Sequence, residues 1–146
     1  SLGKFFGLAG LRVGAVIAPP VWRAALEAEL GPWPVGGPAL HLAAAALQDE
    51  VWQAGAREWL QAQSAALETL LASHGWHNTG TALFRTVQTP RARQLHEALA
   101  RQGVWTRLFE LGAPTYQAVR FDLPQDEAAL RRVGEALAHI NKKEIE

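Results

Sequence analysis

The spacing of apolar residues changes character near residue 75. Upstream, Val21, Trp22, Ala25, Leu26 and Leu30 recur at helical intervals and predict a helix over 21–30, ended by Gly31-Pro32. Trp33 to Pro38 holds two prolines and two glycines and predicts a loop. The alanine- and leucine-rich stretch 39–54 predicts a second helix. After Gly55, Trp59, Leu60, Ala66, Leu67, Leu70 and Leu71 give the apolar face of a third over 56–73, closed by His74-Gly75. Before these helices, Val13 to Ala18 is a short apolar run between glycines and Pro19-Pro20, which predicts a buried strand.

Downstream, short strands alternate with helices: strands at 82–87, 104–108 and 118–123, helices at 91–102 and 125–139. The fold class expected is α/β, a helical portion over 1–75 followed by a small open αβ subdomain over 76–140. The boundary falls between Gly75 and Gly80. There is no internal repeat.

Composition narrows the functional classes. With 146 residues, 49% of them hydrophobic, the chain can bury a core. Fourteen basic residues balance fourteen acidic ones, so no net field recruits nucleic acid or an anionic membrane. Arg91, Arg93, Arg101, Arg131 and Arg132 read as solvated faces. No apolar run is long enough to span a bilayer, and a chain without cysteine is compatible with a cytoplasmic location. The absence of an initiator methionine and the polar 141–146 segment lead us to expect a fragment with a foreign tail. The five histidines, His41, His74, His77, His96 and His139, show no metal-ligand spacing and read as surface or capping residues.

Candidate chemistry concentrates at the start. Lys4 is the only lysine outside the tail and sits among glycines and apolar residues, with Arg12 eight positions on. An imine-forming lysine needs its amine neutral part of the time, which a nearby guanidinium and partial desolvation favour. An arginine fork and the Ser1 hydroxyl suit a phosphate, and glycines at 3, 7 and 10 let the backbone approach a bulky group. Taken alone, Lys4 and Arg12 read more readily as an exposed lysine and an exposed arginine of a glycine-rich connection before a strand.

The whole string Ser1-Leu2-Gly3-Lys4-Phe5-Phe6-Gly7-Leu8-Ala9-Gly10-Leu11-Arg12-Val13-Gly14 resembles the lysine signature of fold-type I, class I/II aminotransferase-like enzymes that use pyridoxal 5'-phosphate. The resemblance runs to about residue 140. It implies that Lys4 is the Schiff-base lysine, that Ser1 and Arg12 hold the cofactor phosphate, and that 1–75 ends a large cofactor-binding domain. Gly31 to Pro38 is similar to a Pro-aromatic-x-Val stretch that approaches the partner subunit's site in the family, which implies a homodimer.

Arg107 and Arg120 lie on predicted strands, and neighbouring strands could bring them together. Locally they read either as an inward-facing anion clamp or as solvated residues. In the family, an arginine on each of two such strands binds substrate anions, the later one taking the α-carboxylate. Arg85 matches no family motif and reads as a solvated strand residue. Among subgroups, the motifs at 3–12, 30–33 and 119–124 look most like cobalamin-pathway decarboxylases of threonine phosphate, with histidinol-phosphate aminotransferases next. Both act on phosphorylated, amino-acid-like small molecules. The family's glycine-rich phosphate loop, ring-stacking aromatic and pyridine-pairing aspartate lie upstream of the lysine. The chain alone is therefore expected to turn over weakly or not at all, or to behave as a self-associating module without catalysis.

Overall fold

The computed structural model describes residues 1–112 and 116–140; the tail expected at 141–146 lies outside the described residues. The chain forms two compact units, Ser1–Ala56 and Arg57–Glu146.

The first unit carries helices α1 (Pro20–Leu30), α2 (Gly37–Gln48) and the first turns of α3 (Glu50–Ser73). Pro20 opens α1 at a position where its missing N–H costs no helical bond. Gly31 ends it with its N–H on the Glu27 carbonyl at 3.1 Å. The α2 to α3 break falls at Asp49 rather than at Gly55. Asp49 Oδ1 accepts from Trp52 N–H at 2.9 Å, the N-cap arrangement that satisfies an orphan donor of the first turn. Gln53 Nε2 donates back to the carbonyls of Ala46 and Leu47, which closes the end of α2. Gly55 sits inside α3, a tolerated cost of about 1 kcal/mol relative to alanine.

The strand expected at 13–18 does not form. A strand needs a partner for its ladder, and these residues pair with none among the described residues. Ile17 is fully exposed at 102%.

In the second unit, β1 (Thr79–Thr81), β2 (Phe84–Gln88), β3 (Arg107–Leu111) and β4 (Tyr116–Asp122) form one sheet in the order β1-β2-β4-β3, every pairing antiparallel. The expected strands and helices of this unit are present, with boundaries moved by up to three residues. β1 was not legible in the sequence, being three small polar residues, Thr-Gly-Thr. A side chain at Gly80 would stand 2.1 Å from the Phe84 carbonyl, so only glycine lets β1 approach β2 here.

Helices α4 (Ala92–Arg101) and α5 (Glu127–His139) and the second half of α3 share one core with the sheet. Leu67 and Leu71 of α3, Leu95 and Leu99 of α4, and Ala136 and Leu137 of α5 meet Val87, Val119 and Phe121 of the strands. Strand side chains alternate between faces, so these three strand positions mark the helix-covered face. At Gly134 an added Cβ would stand 3.2 Å from Leu70 Cδ1, so α5 lies close against α3.

Arg85 is a correction to the sequence reading. It lies on the helix-covered side of β2, only 8% exposed, and is not solvated. Its NH2 meets Glu68 Oε1 of α3 at 2.9 Å and its Nε donates to Asn78 Oδ1 at 2.8 Å. A buried guanidinium requires such partners, and here they join α3 to the sheet. His96 departs from expectation too: it is half-buried, with Nδ1 2.8 Å from Thr106 Oγ1.

Arg85→Ala should lower the stability of this unit by ~1–3 kcal/mol in urea unfolding, since charged hydrogen bonds are lost and Glu68 stays half-exposed. Arg101→Ala, on the exposed face of α4, should stay within about 0.5 kcal/mol. Equal effects from the two would contradict the structural role of Arg85.

Candidate active site

Residues 1–14 fold into a closed loop. Leu2 N–H donates to the Val13 carbonyl at 3.3 Å and Leu8 N–H to the Leu2 carbonyl at 3.1 Å, with Leu2 buried beneath them. These bonds bring the two ends of the signature together. Between them Gly7 N–H closes a turn onto the Lys4 carbonyl at 3.0 Å, and Gly7 takes φ +67°, which a side chain would oppose. A single 3-10 turn over Ala9–Leu11 follows, ended by Arg12 at φ 55°. Arg12 is the one non-glycine with positive φ among the described residues, a backbone state costing ~1–2 kcal/mol.

The closure leaves a cavity of about 230 Å³ bordered by Ser1, Gly3, Leu8, Ala9, Arg12 and Gly14. The two residues expected to hold a phosphate therefore line one space. Ser1 Oγ accepts from Gly3 N–H at 3.2 Å and Arg12 NH1 donates to the Ala9 carbonyl at 3.1 Å. Both are short-range, exposed contacts, leaving the other guanidinium donors of Arg12 and the hydroxyl proton of Ser1 for a ligand. An arginine, a hydroxyl and side-chain-free backbone around a small cavity form a donor set that fits a phosphate. A Cβ on Gly3 would press on Ala9 Cα at 3.3 Å and Ser1 Oγ at 3.4 Å, so the space depends on glycine there.

Lys4 follows this cavity in sequence but does not border it, and its side chain is exposed.

An aromatic group fixes the lysine's position along the loop. Phe6 stacks on Trp52 with ring centroids 5.7 Å apart and planes 16° apart, and Phe5 meets Trp52 edge-on at 5.6 Å. Trp52 is itself set by the Asp49 cap of α3. Sequence reasoning missed both residues as parts of the site. The signal was there in Asp49-Glu50, a cap followed by an acidic first turn, three residues before Trp52.

In the second unit, Arg107 of β3 and Arg120 of β4 are directly opposed cross-strand partners. Opposed residues of an antiparallel pair share a face, with Cβ atoms ~4.5–5.5 Å apart. Arg120 alternates with Val119 and Phe121, so both arginines stand on the face the helices do not cover. Arg107 is exposed rather than inward-facing. Arg120 is half-buried, with NH2 3.4 Å from Asp122 Oδ1. Like charges directly opposite are unfavourable in a sheet, and an anion between them relieves this. Among the described residues, no group of three or more His, Cys, Asp or Glu could hold a metal ion. No described helix is long and apolar enough to cross a membrane.

A family model described as aminotransferase class I and II matches residues 1–137. The chain belongs to that family. Over 138 residues it is 47% identical to a threonine-phosphate decarboxylase of Pseudomonas aeruginosa, covering 94% of this chain and 40% of that protein. A threonine-phosphate decarboxylase of Sinorhizobium sp is 40% identical over 96% of the chain and 41% of its own length. Histidinol-phosphate aminotransferase 2 of Pseudomonas aeruginosa is 32% identical over 95% of the chain and 39% of its own length. A solved protein of Burkholderia pseudomallei assigned to the aminotransferases shares the fold at a TM-score of 0.76 and 24% identity, over 94% of this chain and 42% of that one. The chain thus spans about two fifths of the length of the curated relatives it matches. Its place in the family bears out the fold class read from the sequence.

Trp52→Ala removes two ring contacts worth ~0.5–1.5 kcal/mol each. The amides of Leu2 and Leu8 should then exchange with solvent about tenfold faster, while those of Val87 and Val119 keep their protection. Unchanged exchange at Leu2 would show that the aromatic group does not hold the loop.

Proposed function

We propose that the protein carrying this chain decarboxylates L-threonine O-3-phosphate to aminopropanol phosphate with pyridoxal 5'-phosphate. The observation that carries the choice of reaction is the 47% identity to a threonine-phosphate decarboxylase, against 32% to a histidinol-phosphate aminotransferase over a similar span. The two opposed arginines support a substrate bearing more than one anionic group.

Ser1 and Arg12 are assigned to the cofactor's phosphate, an assignment supported by the cavity they share. When bound, the cofactor supplies an electron sink for negative charge developing at the substrate's Cα. Lys4 Nζ is the amine that would hold the cofactor, whose aldehyde group would supply the carbonyl chemistry for engaging the substrate's amine. Arg120 takes the α-carboxylate and Arg107 a second substrate anion, orienting the bond from Cα to the carboxylate for cleavage. That bond breaks with its electron pair left at Cα, CO2 departs, and Lys4, directly or through a water, returns a proton to Cα.

The second reading is amino transfer from histidinol phosphate, which the 32% identity to that aminotransferase favours. There Lys4 removes the Cα proton, and the arginines orient the Cα–H bond for cleavage instead. A homodimer, a cytoplasmic location and a role in cobalamin synthesis belong to the first reading. The homodimer is supported by the apolar residues that α1 and its following loop leave exposed, Val21, Trp22, Leu30 and Trp33, the last 89% exposed. A self-associating module without turnover would use the same surface.

Incubation of the full-length protein that carries this chain with cofactor and threonine phosphate should release CO2, and Lys4→Ala in it should reduce that release by at least ~10²–10⁴-fold. Arg120→Gln should lower kcat/KM roughly a hundredfold through lost charged hydrogen bonds. Amino transfer from histidinol phosphate without CO2 would favour the second reading. Borohydride reduction with cofactor should label Lys4, and no label at saturating cofactor would remove the cofactor assignment from this chain.

A further inference from the structure

The open face of the sheet carries two phenyl rings beside Arg120. Phe84 pairs across β2 and β4 with Asp122, two residues beyond Arg120, and Phe109 pairs across β3 and β4 with Ala118, two residues before it. Both rings are therefore diagonal neighbours of Arg120 on its own face, within reach of a long side chain. The guanidinium carbon sits 4.0 Å from the Phe84 ring centroid and 5.7 Å from that of Phe109. Arg120 Nε is buried and has no hydrogen-bond partner among the described residues.

These observations fit together. An arginine in water satisfies all five N–H donors, whereas here one is withdrawn from solvent against aromatic carbon, where the ring faces attract the cation without hydrogen bonds. The seat does two things to the side chain. It fixes the plane of the guanidinium, and it hides Nε, so that the side-on fork using Nε is closed to a ligand. The terminal nitrogens are left, and one of them meets the exposed carboxylate of Asp122 at the long distance of 3.4 Å. A substrate oxygen pair can replace that contact end-on.

The geometry points to Phe84, with Phe109 as its lesser partner, as positioning residues for Arg120 that commit it to end-on recognition of an anionic oxygen pair. This rests on the reading of Arg120 as a substrate-binding residue. The rings touch no substrate and act through the arginine alone.

The Arg120 Nε–Hε resonance of the protein, followed by NMR during titration with O-phospho-L-threonine, tests the assignment. The wild-type signal should lie upfield from ring current and exchange slowly with water. Phe84→Leu keeps an apolar side chain in place, and it should erase that shift and weaken binding about tenfold. Phe84→Tyr should restore both, and Val87 and Val119 amide protection should not change in either variant. Loss of the ring-current shift without loss of affinity, while Arg120→Gln still weakens binding, overturns the positioning role and leaves the substrate reading intact. Unchanged affinity in Arg120→Gln overturns both.

Discussion

Three helices packed against one face of a four-stranded antiparallel sheet govern the second unit. With Leu67, Leu71, Leu95, Leu99 and Leu137 filling that face, the strands must send alternate side chains the other way. Val119 and Phe121 point into the core, so Arg120 between them cannot. The antiparallel register then sets Arg107 opposite Arg120 and brings Phe84 and Phe109 to its diagonals. Two guanidiniums side by side are an unfavourable arrangement that burial of the opposite face sustains. Arg85 is the reverse case: it faces the core side, where Glu68 and Asn78 supply its polar partners.

The first unit depends on a different constraint, the closure of a short loop. One backbone bond from Leu2 to Val13, with Leu2 buried under it, places Ser1 next to Arg12 although eleven positions separate them. Glycine is required at two points for distinct reasons. Gly7 turns the chain at positive φ, whereas Gly3 leaves the room that a Cβ would take from Ser1 and Ala9. The Phe5, Phe6 and Trp52 rings then attach the loop to the start of α3.

Much of this was legible in the sequence, and the parts that were not share a cause. Periodicity gave α1, α4, α5 and the three longer strands, because each carries its own amphipathic pattern. It could not give β1, whose Thr-Gly-Thr has no apolar signal and forms because β2 offers an edge that glycine can approach. It placed the α2 to α3 break at Gly55, where propensity is lowest, while the side-chain cap at Asp49 decided it. Val13 to Ala18 has the composition of a strand, yet strand formation is a property of two segments, and no described residue supplies the second. Within the candidate site, residue type and spacing left Ser1 with Arg12, and Arg107 with Arg120, open between a clamp and solvated residues, and the family resemblance was what favoured the clamp. Phe84 and Trp52 were not legible, since their parts depend on tertiary neighbours.

The backbone of Arg12 has a consequence for how this protein tolerates improvement. At φ 55° glycine would be the better residue, relieving ~1–2 kcal/mol of conformational cost. It would also delete the guanidinium that borders the cavity. Screening variants for heat resistance alone would therefore reward Arg12→Gly, and the hardier protein would have lost the guanidinium that we assign to the cofactor's phosphate. On that assignment, backbone strain and binding pull in opposite directions at position 12, so thermal selection here needs a binding assay beside it.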